Sequence, residues 1–581
     1  STNTGTIHCY SAQHVEGPFS GTLDSKLPPC AKDTNGPVIT EAVDAIRALA
    51  PIDKGYCVVA GCGEGHLVFD LCQKTQLNVI GLEKDPEKLK SARKMLADLD
   101  LYGVRATILP WDGEKLPFTS YMANLVVSEE ALLTGNIPVS AAEVKRVLRP
   151  YGGMAVMGNP KGAMDQAQLT AWLAGDKEGE VKETQGRWAV IKRGAVPGAG
   201  EWTELYANAS HTACSKDELK GPMKVLWFGE PGPRDIVDRH HRPMSSLFKN
   251  GRLVIPGDNL VMGVDPYNGT PLWRLEVPFM RRVGVMKNAG QMVLTDDLLY
   301  LVSKDECWGL NPDTGEKSLS MIAPQAGDRP HDWGYLDSVG DLLIGSGQAA
   351  GASFSELSLK MVNTLEGDNR PIIMSEYLFC LDRHTGQERW KREKGSILND
   401  SIAIADGRVY FVESRNPEVQ KNTDGRIRIN DFLAKDAYLT AIDLEHGKKV
   451  WDQPVQWPFE HIMYVNGADG VLVASGSYNK VPALYYSLFG YDMRTGKPLW
   501  ETPFRALDNR SIDFSATGGS HGEQWQHPVI IGDTIYQRPY AFDLHTGQKR
   551  DYIARRGGHG CGGLTGSAYY LYGRGSNPKM Y

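Results

Sequence analysis

The sequence predicts a multidomain protein in which a doubly wound α/β domain is joined to an all-β propeller. Three observations predict this. Residues 37–160 alternate short apolar runs with amphipathic helical stretches, as parallel strands and their crossover helices do. From about residue 201 helical periodicity disappears and an Asp-x-x-x-Gly turn recurs, followed by a short strand that often ends in Trp. Gly (63) and Pro (33) are both somewhat high for 581 residues, which favours many turns.

In the α/β part, Glu41 to Leu49 reads as a helix with Ala42, Ala45, Ile46 and Leu49 on one face. Tyr56 to Ala60 is wholly apolar, as expected of a buried parallel strand. A glycine-rich turn follows, then a helix through Leu71. Asn78 to Leu82 is a second such strand. The helix from Pro86 to Leu99 places Leu89, Ala92, Leu96 and Leu99 together, and Pro86 suits its first turn. Leu125 to Val127 and Met154 to Met157 are further strands.

The repeat begins at Asp265, Asn311, Asp382, Asp443, Asp492 and Asp543, in steps of 46, 71, 61, 49 and 51 residues. A period of this size with several short strands per copy is that of propeller blades. Glycine supplies the turn residue with positive φ, and the Asp and Thr side chains can bond turn amides. Trp273, Trp390, Trp451 and Trp500 each offer a large plate able to dock between neighbouring blades.

These copies resemble the quinoprotein-type (PQQ-like) repeat. Trp202 to Ser215, followed by Val225 to Trp227, is similar to the segment that leads into such propellers. Family propellers have seven or eight blades. Six clear copies lie between 243 and 552, and Ala568 to Tyr581 reads as a partial seventh. The expectation is a propeller over 201–581 that is incomplete at its C-terminus. Asn3 to Tyr10 matches the strand half of the repeat, so 1–36 reads as a propeller-like strand and linker. The chain is expected to be a processed piece of something longer, or to have a protein partner that completes the propeller. Family enzymes that hold the quinone usually carry adjacent cysteines. None of the nine cysteines here is adjacent to another, which argues against PQQ.

The turn Gly61-Cys62-Gly63-Glu64-Gly65 stands between a strand and a helix, with Glu83 ending the next strand. Trp111-Asp112-Gly113 follows the third strand, and Glu143 to Pro150 with Gly152-Gly153 closes the set. In that order, over 37–160, these motifs resemble class I S-adenosylmethionine-dependent methyltransferases, a Rossmann-like fold. The resemblance implies S-adenosylmethionine as cofactor. Gly61, Gly63 and Gly65 would lie against its methionine and ribose, Glu83 would hold the ribose diol, and Asp112, beside Gly113, would accept the adenine amino proton. Two positions depart from the pattern: Val59 replaces an acidic residue, and Ala123-Asn124 replaces the Phe-Asp pair. Residues 161–200 read as a linker or extension, with no recognisable acceptor site and no assigned catalytic residue.

The net charge of −7 argues against a nucleic-acid surface spread over the molecule, and no apolar run is long enough to span a membrane. Cysteines never occur at CxxC spacing, so a zinc ribbon and a haem attachment site are excluded. His240-His241-Arg242, His521 with His527, and His559-Gly560-Cys561 fall in predicted propeller loops. They read as ordinary loop residues, and no metal site is assigned to them. Three readings follow. One is a methyltransferase-like protein whose propeller recognises a substrate or partner. Another is a non-catalytic scaffold with a degenerate methyltransferase domain. The third is a periplasmic quinone- or metal-dependent oxidoreductase. The propeller points to the periplasm, the cofactor to the cytoplasm.

Overall fold

The computed structural model describes residues 36–160, 164–221, 225–229, 232, 234–236, 244–280, 291–353, 371–480, 483–505, 527–553, 564–573 and 579–580. They fall into two compact units. The first runs from the N-terminal described residues to Pro117, with Leu125–Val144 and Ala155–Ile191. The second comprises Phe118–Asn124, Lys145–Met154 and the chain from Lys192 onward. The predicted strand at Asn3 to Tyr10 lies outside the described residues.

The α/β chain runs α1 (Gly36–Leu49), β1 (Tyr56–Ala60), α2 (His66–Lys74), β2 (Asn78–Glu83), α3 (Pro86–Asp98), β3 (Ala106–Pro110), β4 (Leu125–Val127), α4 (Glu129–Thr134), α5 (Ala141–Val147), β5 (Met154–Asn159), α6 (Gln166–Trp172), β6 (Gly179–Glu183) and β7 (Arg187–Lys192). The sheet order is β3-β2-β1-β4-β5-β7-β6. β1 is parallel to both β2 and β4, so the chain reverses its winding beside β1. That central position explains why Cys57, Val58, Val59 and Ala60 are all fully buried. α3 starts where the Asp85 carboxylate accepts from the Glu87 and Lys88 amides, with Pro86 next in line. The sheet continues beyond residue 160, where the sequence placed the end of the domain. β6 and β7 form an antiparallel hairpin at its edge. β6 is polar Gly-Glu-Val-Lys-Glu, so it lacks the apolar run that marks a buried parallel strand.

Among the described residues, the second unit contains seven successive antiparallel groups of strands, over 247–276, 292–322, 331–392, 396–454, 462–505, 529–553 and 564–580. They are numbered here as blades one to seven. Blades three and four share one ten-stranded sheet, joined where Met374 and Ser375 pair with Leu398 and Ile397. After residue 201 the α-helices among the described residues are short, in keeping with the loss of helical periodicity. Blade four carries two short helices, α7 (Pro417–Gln420) and α8 (Ile429–Leu433). Each spans too few residues to show a 3.6-residue period.

The tryptophan plates follow one rule. Nε1 of Trp273, Trp390, Trp451 and Trp500 donates to the carbonyl of Pro312, Leu444, Met493 and Leu544 respectively. Each acceptor directly follows the first residue of the next blade's Asp-x-x-x-Gly turn. Each ring also lies against that turn's glycine, at Gly315, Gly447, Gly496 and Gly547. Trp227 does the same to Pro266 and Gly269 of blade one.

The turn carboxylates are held low. The Arg389 guanidinium and the Thr385 hydroxyl keep Asp382 at about 2, and Arg550 and Thr546 do the same for Asp543. A depressed carboxyl stabilises the fold above its unfolded value of about 3.9, and the contribution disappears as pH falls through the folded value. Acid unfolding of the propeller is therefore expected between about pH 4 and pH 2. A circular-dichroism titration of Asp382→Asn should show a shallower loss over that window than wild type; an unchanged slope would remove the turn as its source.

Trp202 to Ser215 fastens the blades together. Trp202 exchanges two main-chain bonds with Phe248 of blade one, and the Thr203 carbonyl accepts from Leu294 of blade two. The carbonyls of Ala209, Ser210, Thr212 and Ala213 accept from Ile404, Gly467, Ile530 and Gly566 of blades four to seven. One short segment thus bonds six of the seven blades.

Asn124, one of the departures from the methyltransferase pattern, lies with Asp265 in the second unit. Its Nδ2 donates to Asp265 Oδ2 at 2.9 Å, and its Oδ1 accepts from Asn268 Nδ2 at 2.7 Å. Arg149 Nε stands 3.0 Å from the same Asp265 oxygen. The amide donates to one neighbour and accepts from the other, which an ionised carboxylate at this position could not do.

Candidate functional site

The site is built at the carboxyl ends of β1, β2 and β4. In open α/β sheets this is where the loops of opposite winding part and ligands bind. The chain leaves β1 through Gly61, Gly63 and Gly65, with φ of +61°, +53° and +89°. Such values are costly for any residue with a Cβ. Cys62 N donates to the Leu82 carbonyl and ties the turn to the end of β2.

Glu83 is 5% exposed although it is charged. Its Oε2 accepts from Gly63 N at 2.7 Å, and its Oε1 from Lys84 N and Asp85 N at 3.0 and 2.9 Å. Three amides therefore fix this carboxylate against the glycine turn. Trp111 N donates to the Glu83 carbonyl, which sets the Asp112-Gly113 turn beside it. Asp112 is exposed, and its Oδ1 accepts from Glu114 N at 2.9 Å. Gly113 has open space where a Cβ would stand. The structure thus brings together all the residues that the methyltransferase resemblance implied.

It adds two that sequence reasoning missed. Glu129 and Glu130 open α4, directly after β4, where Ser128 caps the helix by accepting from Ala131 N. Glu129 is buried, and its Oε2 accepts from Leu67 N at 2.9 Å, in the first turn of α2. Gly65 caps α2 without any side-chain bond, so Glu129 takes that role from across the sheet. Glu130 N donates to the Gly61 carbonyl at 2.9 Å. Two acidic residues directly after a central parallel strand were the signal available in the sequence.

The glycines are explained by these acids as well as by their φ values. A Cβ on Gly61 would come within 2.7 Å of Glu130 Oε2, and one on Gly63 within 3.1 Å of Glu129 Oε1. A Cβ on Gly65 would press on Ala92. Burial, and then the charges of Glu129 and Glu83, raise the Cys62 thiol far above its ordinary value, so it stays protonated and is no nucleophile.

Among the propeller histidines singled out above, His527 is described. It lies outside the strands, just before Val529–Ile531, and is buried there, stacked on Tyr206 at 3.8 Å between ring centroids. His240, His241, Arg242, His521, His559 and Cys561 lie outside the described residues. A cavity of about 540 Å³ adjoins the 202–215 segment, lined among others by Asn208, Thr212, Asp406, Asp469 and Met493.

Residues 55–210 match the family model of a methyltransferase domain, and residues 367–573 match that of outer membrane protein assembly factor BamB. The chain joins a methyltransferase-like domain to a BamB-like repeat domain. Among solved structures, the methyltransferase-like domain is similar to a putative S-adenosyl-L-methionine-dependent methyltransferase from Methanococcus maripaludis. Identity is 19% over 28% of this chain and 87% of that one, with a TM-score of 0.25. A SAM-dependent methyltransferase from Aquifex aeolicus gives 16% identity over 28% and 92%, with a TM-score of 0.22. The BamB-like part is similar to BamB from Moraxella catarrhalis, at 13% identity over 57% and 83%, with a TM-score of 0.34. No curated protein matches the chain. Among the described residues, no helix of the methyltransferase-like or BamB-like part is long and apolar enough to cross a membrane.

Proposed function

We propose that the methyltransferase-like domain binds S-adenosylmethionine at Gly61, Gly63, Gly65, Glu83, Asp112 and Gly113, and that the propeller recognises a substrate or protein partner. The buried Glu129 carboxylate at the start of α2 carries this reading. Dinucleotide-binding sheets place a pyrophosphate at that helix start. A carboxylate already there repels an anion and favours a cation. S-adenosylmethionine brings two positive centres, a sulfonium and an ammonium, to an acid-rich turn. When bound, it supplies an electrophilic methyl group. Glu83, held by three amides, would orient the ribose, and Asp112 would accept from the adenine.

Calorimetry tests this. The protein is expected to bind S-adenosylmethionine and not NAD, and Glu83→Ala is expected to weaken binding by roughly ten- to a hundredfold. Absence of heat with folded protein would sink the proposal.

A second reading, a scaffold with a vestigial cofactor site, has support from Val59, which is fully buried in β1. The glycine Cβ directions, which meet protein side chains, favour it too. It predicts no S-adenosylmethionine binding, together with a multi-chain mass in solution. The cofactor reading goes with a cytoplasmic protein, and the scaffold reading with a periplasmic one.

A further inference from the structure

We propose that the propeller holds a divalent transition-metal ion of the zinc type, bound by Glu204, His211 and Asp337, which pins the 202–215 segment to blade three. Glu204 and His211 belong to that segment, and Asp337 to the first strand of blade three, His331–Val339.

The first observation is the composition of the cluster. One ligand atom from each of the three lies within 4.8 Å of the other two, and each residue is only 1% exposed. Glu204 Oε2 and His211 Nε2 are 3.8 Å apart. Among the described residues, no lysine or arginine forms an ion pair with either carboxylate. Two buried carboxylates without a cation violate the rule that buried charge is paired. A divalent ion neutralises both at once.

The second observation is independent. His211 Nε2 is buried and has no hydrogen-bond partner. That nitrogen is the ring atom that lies beside the two carboxylates. One imidazole nitrogen and two carboxylate oxygens form a donor set suited to Zn²⁺, leaving a fourth position. The outer contacts are also in place. Tyr206 N donates to Glu204 Oε1, and the Tyr335 hydroxyl donates to Asp337 Oδ2.

The third observation concerns blade three. It is the one blade without a main-chain bond to the 202–215 segment among the described residues. Strand register shows why. Leu294, Ile404, Gly467 and Ile530 pair with the next strand as Ser338 does, at Leu299, Val409, Leu472, Ile535 and Leu343. The amides of the first four bond the segment. The Ser338 amide donates instead to Asp337 Oδ1 at 2.7 Å. The residue before this position is Val293, Ala403, Asn466 or Val529 in those blades, and the acidic Asp337 only here. The ion would replace the missing bond.

The test uses the full chain, equilibrated with Zn²⁺, passed through a desalting column and assayed by elemental analysis. About one zinc per chain is expected from this three-ligand site. The near-isosteric double variant Glu204→Gln/Asp337→Asn should lose it, and the Co²⁺-loaded wild type should show visible d–d bands that the variant lacks. If the double variant does not fold, His211→Asn serves instead, because asparagine tolerates the positive φ of 60° at that position. Zinc content unchanged in a folded variant would overturn the proposal. So would wild type without zinc whose stability rises when the carboxyls are neutralised, since protons would then fill the ion's role.

Discussion

Trp451→Ala is expected to lower the stability of the propeller by about 3–5 kcal/mol. Trp451 is 8% exposed and lies between blades four and five. Its ring covers Gly496, its Nε1 bonds the Met493 carbonyl at 3.1 Å, and Tyr410 packs on it at 5.9 Å between centroids. Alanine would leave a cavity and remove a donor from a carbonyl. Arg408 and the Tyr410 hydroxyl also reach that carbonyl, so most of the loss should come from the plate. Trp451→Phe keeps a plate and is expected to cost only about 1–2 kcal/mol. Urea unfolding midpoints separate the two, and equal midpoints would discredit the plate.

A paired substitution sharpens the point. Gly386 and Gly496 have nearly the same φ, +72° and +74°, so alanine strains both backbones alike. A Cβ on Gly496 meets the rigid Trp451 ring at 2.5 Å, while one on Gly386 meets the flexible Met321 at 3.1 Å. Gly496→Ala should therefore be the more destabilising.

The plates and turns were legible because they are local. An Asp-x-x-x-Gly turn states its own geometry, and a tryptophan after it has one place to go. β1 and β4 were legible to the residue, because strands buried on both faces are apolar throughout. The edge strand β6 was not, since an exposed edge needs no such run, whereas β7 carries one, Trp188 to Ile191, that was passed over. Nor was the role of the 202–215 segment. Its bonds use main-chain carbonyls, which every residue type supplies, and its partners lie up to several hundred residues away. Within the candidate cofactor site, the glycine turn and Glu83 were readable from spacing. Glu129 was not, because its target is an amide of a helix from another part of the sheet. The burial of His527 was not legible, because a histidine in a polar stretch looks the same whether its neighbours are water or Tyr206.

Asn124→Asp, which restores half of the Phe-Asp pair usual in the methyltransferase pattern, is expected to damage this protein by about 3–5 kcal/mol at neutral pH. Asn124 and Asp265 are 5% and 1% exposed. The amide donates to Asp265, and a carboxylate cannot. The new charge would face the Asp265 carboxylate with only Arg149 to serve both, at a position where water is excluded. Burial and the like charge would raise the new carboxyl above its unfolded value of about 3.9. The folded state then binds more protons than the unfolded one, so stability falls as pH rises through that window. The variant should lie closest to wild type below about pH 4 and diverge from it as pH increases. Asn124→Ala removes the same hydrogen bonds without adding charge, so its deficit should not share this pH dependence. Identical pH profiles for the two variants would mean that the asparagine is not there to keep a second carboxylate away from Asp265.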